Sequence, residues 1–366
     1  MRSLSLLIKP VSGECNMHCS YCFYNDIISK RDVSVFPHMS IKTLETIVRR
    51  SFLYADGFVN SIFQGGEPTL IGIDFWKALL ELERTYNSKN VPVTNSVQSN
   101  GYSLSDDLIG LFAKEHFLLG ISLDGIADLH NQFRVNRAGA PTFDRIIDNI
   151  RRLEEAGAEF NILCVVNDYV AQRPREVFKS LAPYKYLQFI ACLDGLDGNQ
   201  TSYSLSSRHY LYFLKETFDL YYDACISRRQ VSIRSFDNYI RILLGMPPES
   251  CAASGQCGQY FLIESNGDVY PCDFYALDSW RIGSILDQPF NRLAKSDLWI
   301  RFHEESLPVP AKCTLCKWYP LCRNGCKRER DPETGISRWC SCLSEFFEYS
   351  HPRFQALADL IAKHRL

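Results

Sequence analysis

Through the first half of the chain, short apolar runs alternate with longer stretches in which apolar residues recur every three to four positions. The short runs, at 5–8, 59–64, 91–98, 117–123, 159–166 and 186–192, read as strands. The intervening stretches at 41–54, 74–86, 105–115 and 143–156 read as helices. This alternation predicts βα units around a parallel sheet, an α/β class in which six units curl into a partial barrel. Beyond residue 206 the pattern changes to two helices, 208–227 and 236–244. It then gives way to a cysteine-rich region where Ser265-Asn266-Gly267 sets a hairpin turn between apolar segments. So short a region has little apolar mass for a core of its own, which predicts a hairpin held by metal. The end, 344–366, has helical character.

In a parallel barrel the chemistry gathers at the carboxyl ends of the strands, where loops are free to vary. The special sequences fall there. Cys15-Asn16-Met17-His18-Cys19-Ser20-Tyr21-Cys22 follows the first strand and Gly65-Gly66-Glu67-Pro68 the second. Gln98-Ser99-Asn100-Gly101 ends the third, and Asp124-Gly125 follows the fourth.

Composition narrows the function classes. The 366 residues carry 40 basic and 42 acidic side chains, a net charge of −2 with no block of one sign, so neither nucleic acid nor an anionic membrane is an expected partner. The opening apolar run is too short for a signal peptide, and no stretch approaches the ~20 apolar residues of a transmembrane helix. These features predict a soluble cytoplasmic protein. Fifteen cysteines, an odd number, are then hard to read as disulfides and favour metal or redox chemistry.

Cys15, Cys19 and Cys22 have the spacing C-x3-C-x2-C, with Tyr21 beside the last. Three thiolates can hold three irons of a [4Fe–4S] cluster and leave the fourth open to a chelating ligand such as S-adenosylmethionine. A structural zinc site, with His18 as a fourth ligand, is the plainer alternative, although zinc sites usually pair two C-x2-C units. Gly65-Gly66-Glu67 allows close backbone approach to a ligand and offers an acceptor for an ammonium group, or is an ordinary strand-end turn.

Nine more cysteines, Cys251, Cys257, Cys272, Cys313, Cys316, Cys322, Cys326, Cys340 and Cys342, crowd the last third, enough for two four-thiolate sites. Spacing alone leaves iron–sulfur clusters and zinc ribbons both open. Asp273 follows Cys272 directly, placed to take a proton beside a cluster or merely solvated at a hairpin end. Cys164, Cys192 and Cys225 read as core residues.

Taken together, these residues resemble the anaerobic sulfatase-maturating enzymes, radical S-adenosylmethionine proteins with a C-terminal SPASM domain. The resemblance spans essentially the whole chain. It rests on Leu6-Leu7-Ile8-Lys9-Pro10, the stretch from Cys15 to Tyr24, Phe63-Gln64-Gly65-Gly66-Glu67-Pro68-Thr69-Leu70, Phe160-Asn161-Ile162-Leu163-Cys164-Val165-Val166, Val269-Tyr270-Pro271-Cys272-Asp273-Phe274-Tyr275 and Glu345-Phe346-Phe347-Glu348-Tyr349.

It implies a partial (β/α)6 barrel at 1–206, a helical connection at 207–250, a SPASM domain at 251–342 and a final helix at 343–366. It also implies three [4Fe–4S] clusters and S-adenosylmethionine. Cys15, Cys19 and Cys22 would hold the first cluster. Cys251, Cys257, Cys272 and Cys326 would hold one auxiliary cluster, and Cys313, Cys316, Cys322 and Cys340 the other, with Cys342 as the alternative to Cys340.

Tyr21, Gly65, Gly66, Glu67, Ser122, Arg134 and Leu193 would surround S-adenosylmethionine. Asp273 would be the catalytic base, and Tyr24, Gln64 and Gln98 would lie near the substrate. The plainer readings make Arg134 a surface cation and leave Tyr21 and Leu193 as packing residues. The implied reaction oxidises a cysteine or serine of an unfolded sulfatase segment to Cα-formylglycine, with a flavodoxin- or ferredoxin-type electron donor. A maturase that crosslinks or epimerises a ribosomally made peptide is the nearest rival. An electron carrier or zinc-bound interaction module is the non-enzymatic one.

Overall fold

The computed structural model describes residues 1–364, and the chain divides into two compact units. The first comprises Met1–Ser122, Asn131–Phe160 and Gly258–His303; the second comprises Leu123–His130, Asn161–Cys257 and Glu304–Leu366.

All six strands expected from the alternation form. In the first unit, Ser3–Ile8, Phe58–Phe63, Val93–Ser99 and Leu118–Ser122 lie side by side and parallel, with Ile8 opposite Phe63 and Phe63 opposite Val97. Val59, Ser61 and Phe63 alternate inward, the period of a strand with one buried face. Helix Ile41–Tyr54 starts where the Ser40 hydroxyl accepts from the Thr43 N–H at 3.1 Å. It buries Leu44, Ile47, Val48 and Phe52, one helical stripe. Helix Ile73–Tyr86 brings Trp76, fully buried, against Phe63, Phe75, Phe112 and Phe117 in edge-on contacts of 4.9 to 6.0 Å.

The Asn-Gly hairpin forms between Phe261–Ile263 and Asp268–Tyr270. It is not a separate module: Phe261–Ile263 runs parallel to the first strand, Leu6 opposite Phe261 and Ile8 opposite Ile263. Its six strand residues are all buried. The hairpin therefore borrows the core of the main sheet.

In the second unit, residues 161–166 of strand Phe160–Val166 run parallel to Tyr186–Ala191, and Ser232–Ile233 follows. Helices Ser207–Ile226, Arg234–Leu243 and Cys340–His364 meet through Phe218, Phe236, Phe346 and Phe354, with Phe218 and Phe354 ring centres 4.4 Å apart. The last two positions of the helix expected at 343–366 lie outside the described residues. Cys164 and Cys192 are buried as expected of core residues, and Cys225 is half-buried. Among the described residues no helix is long and apolar enough to cross a membrane.

Candidate active site and cysteine sets

Cys15, Cys19 and Cys22 are brought together by a compact loop in the first unit. Cys19 ends the short strand Met17–Cys19, which pairs antiparallel with Arg134–Asn136 and sets Cys19 opposite Arg134. Cys22 caps helix Phe23–Ser29, and its N–H donates to the Cys19 carbonyl at 3.1 Å. The Cys15 sulfur accepts from the Met17 N–H at 3.4 Å and the Asn100 amide at 3.6 Å. Burial pushes the Cys15 thiol up, and the charges of Glu67 and Cys22 push it further. Arg134 donates to the Tyr21 hydroxyl at 3.2 Å. Three half-buried sulfurs with a guanidinium alongside are a donor set suited to a cluster that keeps one corner for a carboxylate-bearing ligand.

The Gly65-Gly66-Glu67 loop is built by close approach. Gly65 has φ +94° and Gly66 φ +55°, and a Cβ on Gly66 would stand 2.0 Å from the Glu14 carbonyl oxygen. That carbonyl accepts from the Glu67 N–H at 2.7 Å, so the loop is fastened beside Cys15. A Cβ on Gly65 would strike the methylenes of Lys9. Glu67 is buried, and its carboxylate serves its own loop. One oxygen accepts from the Thr69 N–H at 3.2 Å, the Thr69 hydroxyl at 2.7 Å and the Ser99 hydroxyl at 2.9 Å. The other accepts from the Asn100 N–H at 2.7 Å. Burial pushes this carboxyl up and those four bonds oppose it. Gln98 donates to Ser122 at 3.1 Å at neighbouring strand ends.

Asp273 opens a short 3-10 turn after Cys272 and is 6% exposed. That burial rules out the solvated hairpin-end reading. Its Oδ1 accepts from the Tyr260 hydroxyl at 2.5 Å, and its Oδ2 lies 3.5 Å from the Tyr24 hydroxyl. Burial pushes Asp273 up, while Tyr260, Cys272 and the Lys9 charge pull it down. Tyr24 is itself raised well above its ordinary value by burial and by Asp273, and the Gln64 side chain bonds to it. The structure thus joins Tyr24, two positions after Cys22, to a carboxylate 249 residues later.

Beneath these residues lies a group that sequence reasoning did not single out. Lys9 and Arg31 each donate to Glu264 Oε1 at 2.7 Å, and the Lys9 ammonium sits 5.0 Å from the centre of the Tyr24 ring. A lysine directly after the apolar run Leu6-Leu7-Ile8 was the available signal.

Cys272 lies in the first unit; the second holds the remaining cysteines and Leu193, which is half-buried just after strand Tyr186–Ala191. Burial pushes the Cys326 thiol well up, with repulsion from Glu329, Cys251 and Cys257. Cys313, Cys316, Cys322 and Cys340 line one cavity of about 510 Å³, and Cys342 does not. The Cys342 thiol is buried, donates to the Trp339 carbonyl at 3.3 Å and is pushed up to about 12 by burial and by Cys322. Four thiols around one space fit a four-iron cluster. Arg330, also missed from sequence, ties the surrounding loops by donating to the carbonyls of Asn324, Ser306, Gly255 and Gly325 at 2.7 to 3.2 Å.

The Radical SAM superfamily model matches residues 10–181, and an iron-sulfur cluster-binding domain, SPASM, matches 251–317. The chain is 40% identical to a cysteine-type anaerobic sulfatase-maturating enzyme of Clostridium novyi, covering 99% of each. It is 38% identical to one from Clostridium perfringens, covering 99% of this chain and 100% of the relative. A solved structure described as native anSMEcpe with bound AdoMet and Cp18Cys peptide superposes with a TM-score of 0.93 at 39% identity, covering 98% of this chain and 100% of that one. With the cysteine loop, the glycine loop and the buried Asp273 on the same scaffold, the chain belongs to the anaerobic sulfatase-maturating enzymes, radical SAM proteins with a SPASM iron–sulfur domain.

Proposed function

We propose that this enzyme oxidises a cysteine of an unfolded sulfatase segment to Cα-formylglycine, in a cytoplasm where a flavodoxin- or ferredoxin-type protein supplies electrons. The choice of cysteine over serine follows the cysteine-type names of relatives at 38% and 40% identity. The observation that carries the reading is the Tyr24–Asp273 contact, because it couples the three-cysteine loop to a buried carboxylate able to accept a proton.

In this reading Cys15, Cys19 and Cys22 hold the cluster that binds S-adenosylmethionine. Cys251, Cys257, Cys272 and Cys326 hold one auxiliary cluster, and Cys313, Cys316, Cys322 and Cys340 the other. When bound, these groups supply a carbon radical that takes a hydrogen atom from the target Cβ and an acceptor for the second electron. The protein's own residues do the rest. Arg134 pairs with the carboxylate of S-adenosylmethionine, and Gly65, Gly66 and the less committed oxygen of Glu67 receive its amino group. Tyr21, Ser122 and Leu193 complete that pocket. Tyr24, Gln64 and Gln98 orient the substrate chain. Asp273 Oδ2 takes the proton released as the Cβ–S unit becomes a thioaldehyde, which water converts to the aldehyde. We further propose the domain division 1–206, 207–250, 251–342 and 343–366.

The test is anaerobic incubation of the iron-reconstituted enzyme with S-adenosylmethionine, a strong reductant and a cysteine-bearing sulfatase peptide. Mass spectrometry should find formylglycine with stoichiometric 5′-deoxyadenosine. Deoxyadenosine without peptide oxidation would overturn the substrate assignment and favour a peptide crosslinking or epimerising activity.

A further inference from the structure

Tyr260 stands immediately before hairpin strand Phe261–Ile263, and its hydroxyl meets three groups at the following turn. Its one proton points at Asp273 Oδ1 at 2.5 Å, with the Cys272 sulfur 3.3 Å away as the weaker arm of a shared donation, and its oxygen accepts from the Asp273 N–H at 3.4 Å. The tyrosine ring has two rotatable bonds and its strand is pinned to the first strand of the sheet, so the hydroxyl is delivered by a rigid arm. Holding Oδ1 leaves Oδ2 as the oxygen on the Tyr24 side. A carboxylate held by one oxygen offers the other in a single orientation, where a free one would rotate.

We infer that Tyr260 is a positioning residue that sets Asp273 and Cys272 together through one hydroxyl. It fixes the oxygen that receives the substrate proton, and it hydrogen-bonds the sulfur that would ligate an auxiliary cluster. The inference deepens the proposed function and rests on its assignment of Asp273 as base and Cys272 as ligand. The share of that proton directed at a cluster thiolate would stabilise the reduced, more negative state and raise its reduction potential. Tyr24 meets the other carboxylate oxygen, Oδ2, at 3.5 Å, so the two tyrosines are separable by experiment.

The test is Tyr260→Phe in the reconstituted three-cluster enzyme, which keeps the ring and removes only the hydroxyl. Iron content should match wild type, and S-adenosylmethionine cleavage should stay within about twofold. Formylglycine formed per deoxyadenosine should fall about tenfold or more, with the peptide KM little changed. In a potentiometric titration followed by electron paramagnetic resonance, one auxiliary cluster should become harder to reduce, while Tyr24→Phe should leave that potential in place. An unchanged potential or an unchanged product ratio in Tyr260→Phe overturns the inference. If wild type itself makes no formylglycine from the cysteine peptide, the proposed function fails, and the potential shift still decides the role of Tyr260 at the sulfur.

Discussion

Lys9 and Glu264 form an ion pair of 2.7 Å with both side chains completely buried, and Arg31, equally buried, shares the same carboxylate oxygen. The cluster ties the end of the first strand to the hairpin that leads to Asp273. Removing the carboxylate strands two buried cations, whereas removing Lys9 leaves Glu264 still paired with Arg31. Glu264→Gln should therefore cost about 3–5 kcal/mol, and Lys9→Met clearly less, both read from chemical denaturation of the anaerobic protein. Burial pushes Glu264 up, but the Lys9 and Arg31 charges outweigh it and hold the carboxyl below its ordinary 4.5. Its contribution is present above that value and is lost as pH falls through the lower folded one. Equal costs for the two variants would contradict this account.

Glu83 works in the opposite direction. It faces Asn95, whose amide donates to both carboxylate oxygens at 3.0 and 3.1 Å, and burial raises the carboxyl from 4.5 to about 7. A proton held more tightly by the folded chain makes stability greatest below pH 4.5, falling until about pH 7 and level above. Glu83→Gln should raise stability at pH 8 by on the order of 2 kcal/mol and flatten the profile between those limits. Thermal melts across that range would show it, and a destabilised variant at pH 8 would count against it.

Gly66 has no room for a side chain, because a Cβ would sit 2.0 Å from the Glu14 carbonyl. Gly66→Ala should displace the loop beside Cys15 and reduce S-adenosylmethionine cleavage by at least about 100-fold. Gly110, in helix Asp106–Lys114, meets nothing within 4 Å. Gly110→Ala should leave cleavage intact and stabilise by about 0.5–1 kcal/mol. Deoxyadenosine yields from the two variants, measured side by side, separate backbone requirement from general sensitivity.

Much of this was legible in the sequence where the signal was local. The apolar periodicity of 41–54 gave helix Ile41–Tyr54, and Asn266-Gly267 marked the hairpin turn. The cysteine and glycine motifs stood out because few residue types can do their work. What stayed hidden depends on residues far apart in sequence. The pairing of Leu6 with Phe261, the Lys9–Glu264 bond and the contact from Tyr24 to Asp273 leave no periodicity to read. The ribbon setting Cys19 against Arg134 is three residues long on each side, too short for a strand signal. Arg330 looks like any surface cation until its four carbonyl partners are seen.

Cys340 and Cys342 stand two positions apart, which left the fourth ligand of one set open, and geometry separates them. Cys340 lines the cavity with Cys313, Cys316 and Cys322, while the Cys342 thiol turns to the Trp339 carbonyl. Cys340→Ala should lower iron content by roughly one cluster's worth, about a third of the total for three clusters. Cys342→Ala should retain the full count and cost stability only, about 1–2 kcal/mol for a buried thiol. Iron and sulfide assays with Mössbauer spectra decide it; the reverse pattern would make Cys342 the ligand.

Asp273, buried between Tyr24 and Tyr260, is the group proposed to take the substrate proton. Asp273→Asn keeps the shape and the tyrosine contacts while removing the base. The decisive measurement is the ratio of formylglycine to deoxyadenosine for this variant on a cysteine peptide under anaerobic conditions. Cleavage of S-adenosylmethionine should continue while formylglycine is nearly abolished. A ratio equal to wild type would contradict it.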